Sequence, residues 1–191
     1  MQQIGIVIYD DAEVLDFAGP YEVFATAARL CEVTPWCVSL ISETITVMAR
    51  GGFSVQSHFT LDDHPPLDVL LVSGGVHTQA IRNPALLCAI RRAGEPAGWV
   101  TSVCTGAFLL AKAGLLSNEK VTTHWEDLAE LRAGFPDLDV HSEVRWVEDG
   151  NRLTSAGISA GIDMSLHLVE RLHSRELAER TARQMDYAWQ Q

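Results

Sequence analysis

Short, unbroken apolar runs that each give way to a segment of helical periodicity constrain this chain more than any other feature. Ile4 to Tyr9, Asp68 to Val72 and Trp99 to Val103 are the clearest of them. Each has the length of a strand and lacks the alternation of a half-exposed one, so each is expected to lie buried on both faces. After the first run, Gly19-Pro20 opens a periodic segment through Val23, Phe24 and Ala27 that ends near Leu30. After the second, Asn83 caps a helix that starts at Pro84 and buries Leu86, Leu87 and Ile90. After the third, Cys104-Thr105-Gly106 leads at once into a helix with Phe108, Leu109 and Ala111. Strands that alternate with helices in this way predict an α/β fold, with a mostly parallel sheet covered on both faces.

The remaining elements fit that plan. Trp36 to Ile41 reads as a strand, and Thr44 to Gln56 as a hairpin broken by Gly51-Gly52. A short strand is expected at Val121 and Thr122, followed by a helix from Trp125 to Arg132. Val144 to Val147 and Arg152 to Thr154 form a hairpin across Asp149-Gly150-Asn151, and Ser159 to Leu172 has helical spacing. Ser174 caps a last helix. No repeat or linker interrupts residues 1–191, and this length suits one domain with one sizeable core.

A formal net charge of −11 and a pI near 4.9 argue against a nucleic-acid surface, which needs clustered Lys and Arg. A small-molecule substrate fits better. Cys31, Cys37, Cys88 and Cys104 form no CxxC pair, and His58, His64, His77, His141, His167 and His173 show no metal-ligand spacing. Neither a disulfide framework nor a metal is expected. The first residues read as a strand and not as a signal peptide, and no apolar run has the length of a membrane span. A cytoplasmic protein follows as the expectation.

In open α/β sheets, sites form outside the carboxyl ends of the strands, which singles out the loops at Asp16, at Gly74-Gly75 and at Cys104. Cys104 follows a strand, precedes a helix, and has small residues two positions away on each side, Ser102 and Gly106. That is the pattern of a nucleophile elbow, where a strained turn exposes the side chain. The helix N-terminus is expected to lower the thiol pKa, leaving the proton of a Cys104–Asp16 pair on the carboxyl. Gly74, Gly75 and the amide of Thr105 could line an oxyanion-type pocket, although tight turns use glycine pairs as often. Asp16 lies among Val14, Leu15, Phe17 and Ala18, where a carboxyl tends to have a raised pKa and can move protons. The same position suits a residue that caps the helix at Gly19-Pro20, and spacing leaves the two roles open. His124 could bond a substrate or the thiol, a structural place beside Trp125 being the commoner role for such a residue.

At these residues the sequence resembles the ThiJ/PfpI superfamily, related to class I glutamine amidotransferases. The resemblance rests on Val14–Pro20, Val72–Gly75, Thr101–Gly106, Thr122–Trp125 and Thr154–Asp163. These segments are similar to the isonitrile hydratase-like branch and to the amidotransferase-like N-terminal domain of AraC-family regulators. The resemblance implies a flavodoxin-like three-layer sandwich, a homodimer, no cofactor, Cys104 as nucleophile, Asp16 as its acidic partner and Thr105 in the pocket. Protease-type members carry His immediately after the cysteine, where this chain has Thr105, so peptidase activity is not implied. Glyoxalase- and chaperone-like members carry Glu where Asp16 stands. Regulators continue into a basic helix-turn-helix region, whereas this sequence stops at Gln191, so direct DNA binding is not expected. The functions implied are a cysteine-dependent hydro-lyase, a ligand or redox sensor, and a glyoxalase- or deglycase-like enzyme.

Overall fold

The computed structural model describes residues 1–190. In chain order the elements are β1 (Gln2–Val7), α1 (Val14–Leu30), β2 (Trp36–Ser42), β3 (Thr46–Ala49), β4 (Phe53–Gln56), β5 (Phe59–Thr60) and β6 (Val69–Val72). They continue with α2 (Pro84–Gly94), β7 (Trp99–Val103), α3 (Gly106–Lys112), β8 (Lys120–Val121), α4 (Leu128–Gly134) and β9 (Asp139–Val140). The last are β10 (Trp146–Asp149), β11 (Arg152–Ser155), α5 (Ala160–Leu172) and α6 (Arg175–Gln184). Seven strands form one sheet in the order β10-β11-β7-β6-β1-β2-β5, parallel throughout except for the β10–β11 hairpin.

Period-two alternation explains why the apolar runs are continuous, since successive side chains enter cores on opposite faces. Ile4, Ile6 and Ile8, with Val69, Leu71 and Val103, pack toward α1, α5 and α6. Val7 and Tyr9, with Leu70, Val72 and Val100, pack toward α2 and α3. The result is the mostly parallel α/β sandwich expected from the pattern. No helix among the described residues is long and apolar enough to cross a membrane.

Local signals hold at most boundaries. Asn83 Oδ1 accepts from the amides of Ala85 and Leu86, with Pro84 in the first turn, and Ser174 Oγ accepts from Leu177. The Gly51-Gly52 turn joins β3 to β4 with φ of 74° and 80°. The start of α1 differs from the expectation. Gly19-Pro20 lies inside this helix, which begins at Val14, so Asp16 belongs to its first turn and not to a loop. Phe17, Pro20, Phe24 and Ala27 recur at helical spacing and are all buried, and packing of this face carries the helix upstream through the proline. The cost is local, because Pro20 has no N–H to give to the Asp16 carbonyl.

Strand order sets the site. β6 lies between β1 and β7, so the residues after β6 stand between Asp16, which follows β1, and Cys104, which follows β7. The chain runs from β1 to β2 on one side and returns to β6 on the other, so these carboxyl ends flank the switch point where such sheets bind ligands.

Candidate active site

Cys104 sits between the last residue of β7 and the first turn of α3, with φ of 55°. A non-glycine residue in this left-handed region costs roughly 1–3 kcal/mol and persists only where its surroundings fix it. Here the Cys104 amide donates to the Ser155 carbonyl at 3.2 Å, and its carbonyl accepts from Thr123 Oγ1 at 2.7 Å. Gly106 is small for a stated reason: a Cβ there would run into the carbonyl oxygen of Val72. The elbow expected from the flanking residues is present.

Asp16 is fully buried, and its Oδ1 accepts from the amide of Ile158 at 3.1 Å. Burial raises its pKa to about 7, against the pull of the neighbouring Cys104 thiol and of the Ile158 and Gly74 amides; Glu13 pushes the same way as burial. The thiol is also pushed up, first by burial and then by the Asp16 carboxylate, while the Thr105 amide draws it down. A depressed thiol pKa was expected from the helix N-terminus. Cys104 is 7% exposed and α3 has seven residues, so desolvation and the facing carboxylate outweigh the amides. The pair therefore rests as a thiol facing a titrating carboxyl.

Gly74 lies directly between the two acidic groups. A Cβ on it would come within 2.6 Å of the Thr105 nitrogen and 2.7 Å of both Asp16 Oδ2 and Cys104 Cβ. Gly75 (φ 139°) is tied to Thr105 in both directions: its amide donates to Thr105 Oγ1 and the hydroxyl donates back to its carbonyl, each at 2.9 Å. The Gly75 amide is thus committed, and the amides facing the sulfur and carboxylate are those of Thr105 and Gly74. His124 packs its ring against Gly157, with Nδ1 buried and Nε2 3.6 Å from Glu126 Oε2. It borders the site without a hydrogen bond to Cys104.

Three neighbours lie outside the candidate site residues of the sequence. The hydroxyl of Tyr9, a core residue by its run, lies near Asp16, Thr105 and Cys104. Ile158 supplies its amide from a left-handed conformation, φ 56°, that a β-branched residue rarely adopts. Asp127 is raised by its own burial against the pull of His124 and His77, and its charge reaches Cys104. A cavity of about 200 Å³ lined by Asp10, Glu43, Gln79 and Asn83 shares Tyr9 with the site.

With this geometry in view, the likenesses to known proteins are informative. The chain is 34% identical over 189 residues to isonitrile hydratase of Pseudomonas putida, covering 97% of this chain and 78% of that protein. It is also 34% identical over 182 residues to the HTH-type transcriptional regulator GbdR of Pseudomonas aeruginosa, covering 93% of this chain but 48% of the regulator. The chain thus spans about half the length of that regulator. A ThiJ/PfpI family protein of Pseudomonas syringae superposes with a TM-score of 0.88 at 29% identity, over 100% of this chain and 76% of that one. An AraC family transcriptional regulator of Pseudomonas putida, at 21% identity, shares the fold with a TM-score of 0.80 over 97% of this chain and 100% of its own. Residues 2–171 match the DJ-1/PfpI family, which includes both enzymes and regulators, and this chain belongs to that family.

Proposed function

We propose that this protein is a cofactor-free and metal-free hydro-lyase that converts an isonitrile and water into an N-substituted formamide. The observation that carries the reading is the Asp16–Cys104 pair: a buried carboxyl that titrates near neutrality faces a thiol held at a strained elbow. Likeness to isonitrile hydratase supports the same chemistry.

The chemistry runs in two steps. Asp16 as carboxylate takes the thiol proton while the sulfur bonds to the terminal isonitrile carbon, and returns that proton to the carbon, giving a thioimidate, R–N=CH–S–Cys104. Water then adds to this carbon, the C–S bond breaks, and R–NH–CHO leaves with the thiol restored. The Thr105 and Gly74 amides stabilise negative charge beside the sulfur. Gly75 and Thr105 hold one another in place, and His124 borders the substrate.

The working form in this reading is a cytoplasmic homodimer without nucleic-acid or membrane partners. Trp125, 71% exposed beside His124, suits the dimer contact. Incubation of the purified protein with an alkyl isonitrile should yield the formamide, and Cys104→Ser should not. If wild type forms none, the hydratase reading fails.

A second reading draws on the match to regulators along most of this chain. In it, Cys104 is a redox or ligand sensor whose oxidised sulfur is held by Asp16. A gain of one or two oxygens at Cys104 under mild peroxide, without formamide formation, would favour this alternative. A glyoxalase- or deglycase-like use of the thiol would appear as turnover of a glyoxal instead.

A further inference from the structure

The strained elbow at Cys104 is held from two sides. On one, the Cys104 amide donates to the Ser155 carbonyl at 3.2 Å, at the end of β11. On the other, the Cys104 carbonyl accepts from Thr123 Oγ1 at 2.7 Å, while the Ala107 amide reaches the same oxygen only at 3.5 Å. Thr123 is 1% exposed, so bulk water does not stand in for its hydroxyl. Its own place is fixed through its neighbour: the Thr122 amide donates to Thr154 Oγ1 of β11 at 2.8 Å, and Thr122 Oγ1 donates to the His141 carbonyl at 2.9 Å.

The Cys104 carbonyl belongs to the same peptide unit as the Thr105 amide. No peptide among the described residues is cis, and in a planar trans unit the C=O and N–H point in opposite directions. Fixing the oxygen on Thr123 therefore fixes where the Thr105 N–H points. That nitrogen borders the reacting groups: a Cβ on Gly74 would lie 2.6 Å from it and 2.7 Å from both Asp16 Oδ2 and Cys104 Cβ. A hydroxyl that donates to the carbonyl also polarises the peptide and strengthens its N–H as a donor.

We infer that Thr123 is a positioning residue, whose hydroxyl aims the Thr105 amide at the Cys104 sulfur by anchoring the opposite end of the same peptide. Its part in turnover rests on the isonitrile reading, through the negative charge that the Thr105 amide stabilises beside the sulfur. Its part in the reactivity of the thiol does not depend on the substrate.

Two variants separate the hydroxyl from the shape that carries it. Thr123→Val keeps the shape and removes the donor, and Thr123→Ser keeps the donor and removes a methyl. Alkylation by iodoacetamide at fixed pH, read on the Cys104 peptide by mass spectrometry, should slow roughly threefold to tenfold in Thr123→Val, because the thiolate loses an amide that favours it. Isonitrile turnover should fall roughly tenfold to a hundredfold, in kcat more than in KM. Thr123→Ser should restore most of both. A hydroxyl that only satisfies a buried carbonyl would lower the melting temperature of Thr123→Val and leave the alkylation rate of the folded protein unchanged, and that result overturns the inference. So does a Thr123→Ser variant as slow as Thr123→Val. Should Thr123→Val not fold, Thr123→Ala against Thr123→Ser makes the same comparison, and equal alkylation rates in those two overturn it. Failure of wild type to form formamide overturns the hydratase reading alone, since alkylation needs no isonitrile.

Discussion

The backbone amide of Ile158 donates to Oδ1 of Asp16 at 3.1 Å, joining residues 142 positions apart. This contact draws the Asp16 pKa down while burial drives it up, and the balance stands at about 7. If the carboxylate is the working form, kcat/KM for an isonitrile should rise with pH through about 7 and then level. A wild-type pH–rate profile with no inflection in that region would remove Asp16 from the chemistry.

The same carboxyl makes stability depend on pH. Its folded pKa lies above the ordinary carboxyl value of 3.8, so between about 4 and 7 the folded state binds more protons than the unfolded one. The stability that Asp16 contributes is therefore fully present below pH 4 and lost as pH rises through 7, by up to roughly 4 kcal/mol. Asp16→Asn should flatten this part of the curve and be more stable than wild type at pH 8. Chemical denaturation of both proteins at pH 5 and pH 8 measures the difference.

Activity and thiol reactivity should separate in the Asp16→Asn variant. Its turnover should fall by roughly a hundredfold or more, because the amide cannot shuttle the proton. Yet the thiol loses the facing negative charge that pushes its pKa up, so iodoacetamide should alkylate Cys104 faster than in wild type at the same pH. Cys104→Ala should stay folded and show no turnover. Slower alkylation in Asp16→Asn would mean that proton transfer to the carboxylate outweighs the effect of its charge on the thiol.

Gly74→Ala should damage the site more than the fold. The added methyl would meet Asp16 Oδ2, the Thr105 nitrogen and Cys104 Cβ, all within 2.7 Å. Turnover should drop by roughly two orders of magnitude or more, consistent with displacement of reacting groups by about an ångström. Thermal melting and isonitrile kinetics on the same preparation decide whether the loss is local.

Arg145 offers a contrast remote from the thiol. Its guanidinium is paired with Asp163, a fully buried carboxylate whose Oδ1 also accepts from the Gln190 amide. Arg145→Ala strands that charge and should cost roughly 3–5 kcal/mol, read as a fall in the denaturation midpoint. A loss below about 1 kcal/mol would show that the Gln190 amide and solvent suffice for Asp163.

The sequence by itself determined the sheet and its coverage, because burial on both faces demands continuous apolar runs such as Ile4–Tyr9 and Asp68–Val72. It also determined the elbow, since the small residues around Cys104 and the strand-to-helix change are written in neighbouring positions. The hairpin turns and the Asn83 and Ser174 caps were legible for the same reason. Asp16 was legible as a candidate, but its setting was not: a proline normally excluded from a helix interior is carried there by the buried face of Phe17, Phe24 and Ala27. Only the tertiary structure brought the Ile158 amide and the Tyr9 hydroxyl to the site. A backbone amide has no side-chain signature, and a tyrosine in an apolar run reads as core. Tertiary structure also decided the protonation of the pair, because the desolvation that outweighs the helix N-terminus at Cys104 is a property of everything packed around the sulfur.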